Sequence, residues 1–176
     1  MVENNYQDVK VIDNFLEEDE LNIINDIITA RTFPWHHSSV VAHDNDPHCV
    51  FQFYLYHLIY DKHIIQSSYY QPFIDIFFPK IKSIYDFKSL IRIKINFYPA
   101  TQNLVEHLPH TDYPWNHFGV LFSLNTCDGF TRFGDNENQI IGSKENRIIL
   151  FNPSILHNST NTTNSQARIN INFNFL

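Results

Sequence analysis

Residues 168–175 read RININFNF, in which Arg168, Asn170, Asn172 and Asn174 alternate with Ile169, Ile171, Phe173 and Phe175. A period of two puts the polar set on one face of a strand and the apolar set on the other. The stretch 91–98, IRIKINFY, has the same alternation, with Ile91, Ile93, Ile95 and Phe97 against Arg92, Lys94, Asn96 and Tyr98. Alternation alone leaves two orientations of 168–175 open. Either the Asn face looks into a barrel, with Arg168 above a polar lining and Ile and Phe packed outward under helices, or Arg and Asn lie in solvent and Ile and Phe form the core.

Outward from these two strands, further strand candidates fall at 118–124, 131–133, 139–141 and 147–151, separated by turn-rich stretches such as Cys127-Asp128-Gly129 and Gly134-Asp135-Asn136. Near the N-terminus, Val9, Val11 and Ile12 read as a short strand. The acidic run 17–20 then leads Leu21, Ile24, Ile27 and Ile28 at helical spacing, so a helix is expected over about 17–30. Residues 33–49 carry His36, His37, His43 and His48 between Pro34 and Pro47 without periodicity, which reads as a polar loop without metal. Such a loop, like Trp115, could face a substrate. Residues 51–70 read as strand and 71–85 as helix, despite Pro72 and Pro79. Helices first and many short strands afterwards suggest a mainly β protein with N-terminal helices, a double-stranded β-helix or cupin-like jelly roll. It is expected to form one domain over 1–176, with an N-terminal layer over 1–90 and the jelly-roll core, bearing the chemistry, over 91–176.

Composition narrows the class. A chain of 176 residues with 43% hydrophobic content can bury a substantial core. Its net charge of −7 disfavours capture of nucleic acid or an anionic membrane. The local basic run over 80–94 reads as a solvated face beside a strand. Cys49 and Cys127 form no CxxC pair, so neither a disulfide framework nor a thiolate zinc site is expected. A polar start, and no apolar run approaching the roughly 20 residues of a membrane span, lead to the expectation of a soluble, cytoplasmic protein. The acceptor patterns at Asn158 and Asn161 read as chance in an Asn-rich chain.

His110-Thr111-Asp112 places an imidazole and a carboxylate two positions apart, so that on extended backbone both project towards one point. His157, shortly after the strand at 147–151, supplies a third ligand. Two imidazoles and one carboxylate on one face of an ion make the facial triad of non-haem Fe(II) oxygenases, which leaves positions open for a co-substrate and O2. Arg168 follows His157 by eleven residues, and its guanidinium fork suits a carboxylate. His107 and His117 have no carboxylate two positions later and read as supporting or surface imidazoles.

In order and spacing these pieces resemble the Fe(II)/2-oxoglutarate-dependent oxygenase superfamily, and within it the prolyl-hydroxylase-like branch. Phe97-Tyr98-Pro99 precedes His110-Thr111-Asp112; Leu124-Asn125 is followed by Gly129-Phe130-Thr131-Arg132-Phe133; Ile149-Leu150-Phe151 precedes His157 and then Arg168. The opening Val11-Ile12-Asp13-Asn14-Phe15-Leu16 and its acidic helix are also similar to that branch. The chain departs from the pattern at Phe130, where the turn has a second Gly, at Asn170, and at Ser123, where animal prolyl hydroxylases have a Tyr.

The resemblance implies iron on His110, Asp112 and His157, and 2-oxoglutarate bound through Arg168, Tyr98 and Asn170. It further implies an enzyme, a 2-oxoglutarate-dependent dioxygenase, that uses O2 to hydroxylate a primary substrate, such as a prolyl or other protein side chain or a small molecule, with release of succinate and CO2. Fold does not fix function, however. A non-catalytic, cupin-like metal or small-molecule binding module is the alternative, followed by an assembly protein whose His and Asp residues are incidental.

Overall fold

The computed structural model describes residues 9–42, 53–134 and 139–176. In chain order these form β1 (Lys10–Asp13), α1 (Glu18–Thr29), β2 (His36–Ser38), β3 (Tyr54–Asp61), β4 (Ile64–Ile65), α2 (Tyr70–Ile84), β5 (Leu90–Pro99), β6 (Phe118–Ser123), β7 (Phe130–Phe133), β8 (Ile140–Gly142), β9 (Arg147–Phe151), β10 (His157–Ser159) and β11 (Ala167–Phe175). The larger sheet runs β1-β9-β6-β11-β5-β3-β2, with β4 beside β3, and the smaller runs β10-β7-β8. Single antiparallel bridges, Glu106 to Thr160 and His110 to His157, lay the segment before β6 along β10 and extend the smaller sheet. The result is a jelly roll in which two sheets face one another.

The two long alternating strands are neighbours, with Arg168 opposite Tyr98 and Asn170 opposite Asn96. Their apolar faces pack outward under the helices: Ile93, Ile95, Ile171, Phe173 and Phe175 are fully buried in one cluster with Ile24 and Ile28 of α1 and Phe73, Phe77 and Ile81 of α2. This selects the first orientation for β11, because among the described residues the helices form the apolar layer that covers that face. The polar faces of both strands consequently line the space between the sheets.

α1 starts where its acidic turn does, and the Glu20 carboxylate accepts the Glu17 backbone N–H at 2.8 Å. The apolar residues of α2 recur every four positions, Phe73, Phe77 and Ile81, so the helix persists through Pro79 on the strength of a continuous buried stripe. Lys80 ties α2 to α1 through Glu20 at 2.9 Å.

Three readings change. The segment expected to be loop contains β2, a short edge strand whose His36 and His37 pair with Tyr56 and Leu55; its His43 and His48 lie outside the described residues, as does Cys49. β10 was concealed by its polar sequence, and it is held by pairing with β7 instead of by an apolar face of its own. The basic run over 80–94 is not uniformly solvated: Lys82 and Lys88 are exposed, whereas Arg92 and Lys94 project into the space between the sheets. Asn158 and Asn161 are buried and hydrogen-bonded, in keeping with chance acceptor patterns. No helix among the described residues is long and apolar enough to cross a membrane.

Candidate active site

His110 and His157 face one another as a hydrogen-bonded antiparallel pair: each backbone N–H donates to the other's carbonyl at 2.9 Å. Their rings consequently sit on the same side, centroids 4.7 Å apart. Asp112, two residues on, returns to that face, held by its own N–H donating to the Pro153 carbonyl at 3.0 Å. One ligand atom from each of His110, Asp112 and His157 falls within 4.8 Å of the other two.

The donor set is in a state that suits a cation. The His157 Nδ1–H donates to the Ile155 carbonyl at 2.9 Å, which orients the ring and leaves Nε2 as its ligand atom. Nδ1 of His110 is buried and makes no well-formed hydrogen bond. Burial first, and then the neighbouring His157, push the His110 imidazole down to about 4, so it is neutral at neutral pH. Burial by itself would raise the Asp112 carboxyl, but Arg92, then His157 and the Asn174 and Asn172 amides outweigh it and hold the group well below the usual carboxylate range. Arg92 donates to Asp112 Oδ1 at 2.9 Å, and the Asn172 and Asn174 amides donate to Oδ2 at 3.0 and 2.8 Å. The polar face of β11 thus orients the carboxylate. Two imidazoles and an ionised carboxylate on one face fit a divalent transition metal.

From this triad a cavity of about 190 Å3 runs between the sheets, lined by Lys94, Asn96, Tyr98, Thr131 and Asn170 among others. Tyr98 and Asn170, the residues the resemblance gave to 2-oxoglutarate, are buried in this lining, Asn170 accepting the Asn96 amide at 2.9 Å. Arg168 sits one layer back, only 1% exposed. Its guanidinium donates to the Thr160 carbonyl at 3.0 Å and to the Thr131 hydroxyl at 2.7 Å, and its Nε has no partner among the described residues. Thr131, in the wall, is therefore the group through which Arg168 meets the cavity. The arginine passes beneath Gly129, where an added Cβ would stand 2.6 Å from Arg168 Cδ and 2.5 Å from the Asn161 carbonyl oxygen. Ser123, where the related pattern has a Tyr, is buried, and its hydroxyl has no partner among the described residues.

No protein-family model matches this chain, and no curated protein matches it in sequence. Solved structures do match. A prolyl hydroxylase from Trichoplax adhaerens, in complex with a hypoxia inducible factor oxygen degradation domain peptide fragment, superposes with TM-score 0.67 at 14% identity, over 96% of this chain and 83% of that one. An oxidoreductase of the 2OG-Fe(II) oxygenase family from Burkholderia pseudomallei gives TM-score 0.67 at 14% identity, over 95% and 84%. A Pseudomonas putida prolyl-4-hydroxylase gives 0.63 at 11%, over 95% and 91%. The chain has the fold of the 2-oxoglutarate oxygenases. Prolyl hydroxylases are prominent among the oxygenase structures it matches, in line with the resemblance read from its motifs.

Within this oxygenase fold the remaining histidines take supporting places. His117 is buried against Asn174 (3.2 Å), which itself holds Asp112, and His107 meets Ser159 at 2.9 Å. Trp115 is half exposed and stacks on Tyr113, and His36 packs near Tyr56; neither lines the cavity. The residues that motif reading passed over are Arg92, Lys94, Thr131, Asn172 and Asn174. Four of these five stand on the polar faces of the alternating strands, so the alternation was their signal once its orientation was known.

Proposed function

We propose that the chain is an Fe(II)- and 2-oxoglutarate-dependent oxygenase that hydroxylates a primary substrate at the mouth of this cavity. The observation that carries the proposal is the convergence of His110, Asp112 and His157 ligand atoms within 4.8 Å at one end of a polar cavity in an oxygenase fold. When bound, iron with 2-oxoglutarate supplies the oxidising chemistry: one atom of O2 goes to a substrate C–H, the other to succinate, and CO2 leaves. The protein's own residues hold and orient. His157 is fixed by the Ile155 carbonyl, and Asp112 by Arg92, Asn172 and Asn174. Leu121 and Phe151 give the cavity an apolar stretch that limits water. Tyr98, Asn170 and the Thr131–Arg168 pair form the inner end, where the distal carboxylate of 2-oxoglutarate is received. Substrates of the prolyl or other side-chain class, or small molecules, fit this reading.

One observation favours the alternative in its small-molecule-binding form: Asp112 already accepts a guanidinium and two amides, which iron would have to share. An anaerobic titration with Fe(II) and then 2-oxoglutarate separates the two. A visible charge-transfer band on adding 2-oxoglutarate supports the oxygenase; tight iron without the band supports the binding module; and no iron binding removes both the metal assignment and the proposal.

A further inference from the structure

Lys94 is the cation of the cavity wall that makes no ion pair among the described residues. It stands in the middle of β5, opposite Asn172 of β11. Its Nζ donates to the Tyr54 hydroxyl oxygen at 2.8 Å and lies over the rings of Tyr54 and Tyr56, 4.9 and 5.3 Å from their centroids. Among the described residues no carboxylate comes within ion-pair distance of it. The nearby cation, Arg92, is already spent on Asp112. An ammonium has three donors, of which one is used on Tyr54, and Lys94 lines the cavity. Placing a cation beside aromatic rings and neutral amides, with no ion pair among the described residues, is costly, and a strand position lined by Asn would have accepted a neutral side chain at less cost.

We infer that Lys94 is a carboxylate-binding residue of this cavity: an anionic group entering between the sheets docks on its ammonium, with the Tyr54 hydroxyl holding Nζ in place. The inference deepens the oxygenase reading at the same cavity and rests on it only for the owner of that carboxylate. Two sources share the chemistry: the distal carboxylate of 2-oxoglutarate, in which case Lys94 joins Arg168 at the tail, and a carboxylate of the primary substrate, in which case it selects an acidic substrate.

The test compares wild type with Lys94→Met, which keeps length and removes charge. On the metal-free full chain, succinate should raise the melting temperature of wild type and not of the variant, whatever the fate of the iron assignment. The unliganded variant should melt no lower than wild type, since only a desolvated charge is lost; a lower melting temperature with the succinate response intact would make Lys94 a structural cation and overturn the inference. On Mn(II)-loaded protein, a loss of about tenfold or more in 2-oxoglutarate affinity, with 2-oxobutyrate unaffected, assigns Lys94 to the co-substrate tail. Unchanged affinity for both keto acids, with a propionate response of the 2-oxoglutarate-saturated protein present in wild type and lost in the variant, assigns it to the substrate. Equal responses of the two proteins to every carboxylate, or none in wild type, would overturn the inference.

Discussion

Gly129 is where the course of the buried arginine can be tested without touching the arginine. Replacing Gly129 by Ala puts a methyl group 2.5 Å from the Asn161 carbonyl oxygen, 2.6 Å from Arg168 Cδ and 3.1 Å from Thr160 Oγ1. The first neighbour is backbone, and the second belongs to a side chain pinned by two hydrogen bonds at its far end. Overpacking of this kind costs about 1–3 kcal/mol. If Arg168 yields, it gives up hydrogen bonds from a charged donor, worth about 1.5–3 kcal/mol more. A total of about 3 kcal/mol or more, at about 2–4 °C per kcal/mol for a domain of this size, lowers the melting temperature by roughly 10 °C. Circular dichroism melts read this directly. Because the triad lies at the other end of the cavity, Fe(II) affinity should hold while 2-oxoglutarate affinity drops. A Gly129→Ala protein that melts within about a degree of wild type and binds 2-oxoglutarate equally well would refute the argument that this glycine makes room for Arg168.

Two further expectations concern stability alone. Asp128 accepts the Thr162 hydroxyl at 2.6 Å and the Thr163 N–H at 2.9 Å, and these bonds outweigh burial to hold its carboxyl at about 2, below an ordinary value near 3.8. Its contribution is therefore complete above about pH 4 and is lost as pH falls through about 2; after solvent screening it is about 1 kcal/mol. The gap in urea midpoint between wild type and Asp128→Asn should narrow by about half between pH 7 and about pH 3, and a gap that widens on acidification would contradict the assignment. Phe77 is fully buried, with Phe173 and Phe122 ring centroids at 4.8 and 5.1 Å, so Phe77→Ala should cost about 3–5 kcal/mol in chemical denaturation. A loss below about 1 kcal/mol would mean that the helical layer does not carry the core.

The strands with strict alternation and the helices with four-residue apolar spacing were legible because each carries its own periodicity. The elements that escaped lack one: β10 owes its existence to β7, and β2 to the edge of β3. Candidate ligands were legible by spacing, since a two-residue step on extended backbone shares a face whatever surrounds it. The environment of those ligands was not. Whether Arg92 and Lys94 met solvent or the cavity depended on which face of β5 the helices cover, a tertiary fact no local pattern contains. Arg168 illustrates the same limit: its position one layer behind Thr131 follows from the absence of a side chain at Gly129, 39 residues earlier and just before β7 of the other sheet.

The spacing of the two imidazoles belongs to the backbone. Because His110 and His157 are locked opposite each other by a reciprocal pair of main-chain hydrogen bonds, the gap between them is set by strand pairing before any ion arrives. Under the proposed metal assignment, a cradle cast in this way would not collapse on demetallation and would offer different divalent ions much the same geometry. Which ion occupies it would then follow the intrinsic order of metal affinities and what the surroundings supply, so protein prepared without control of metals is expected to carry the most competitive ion at hand.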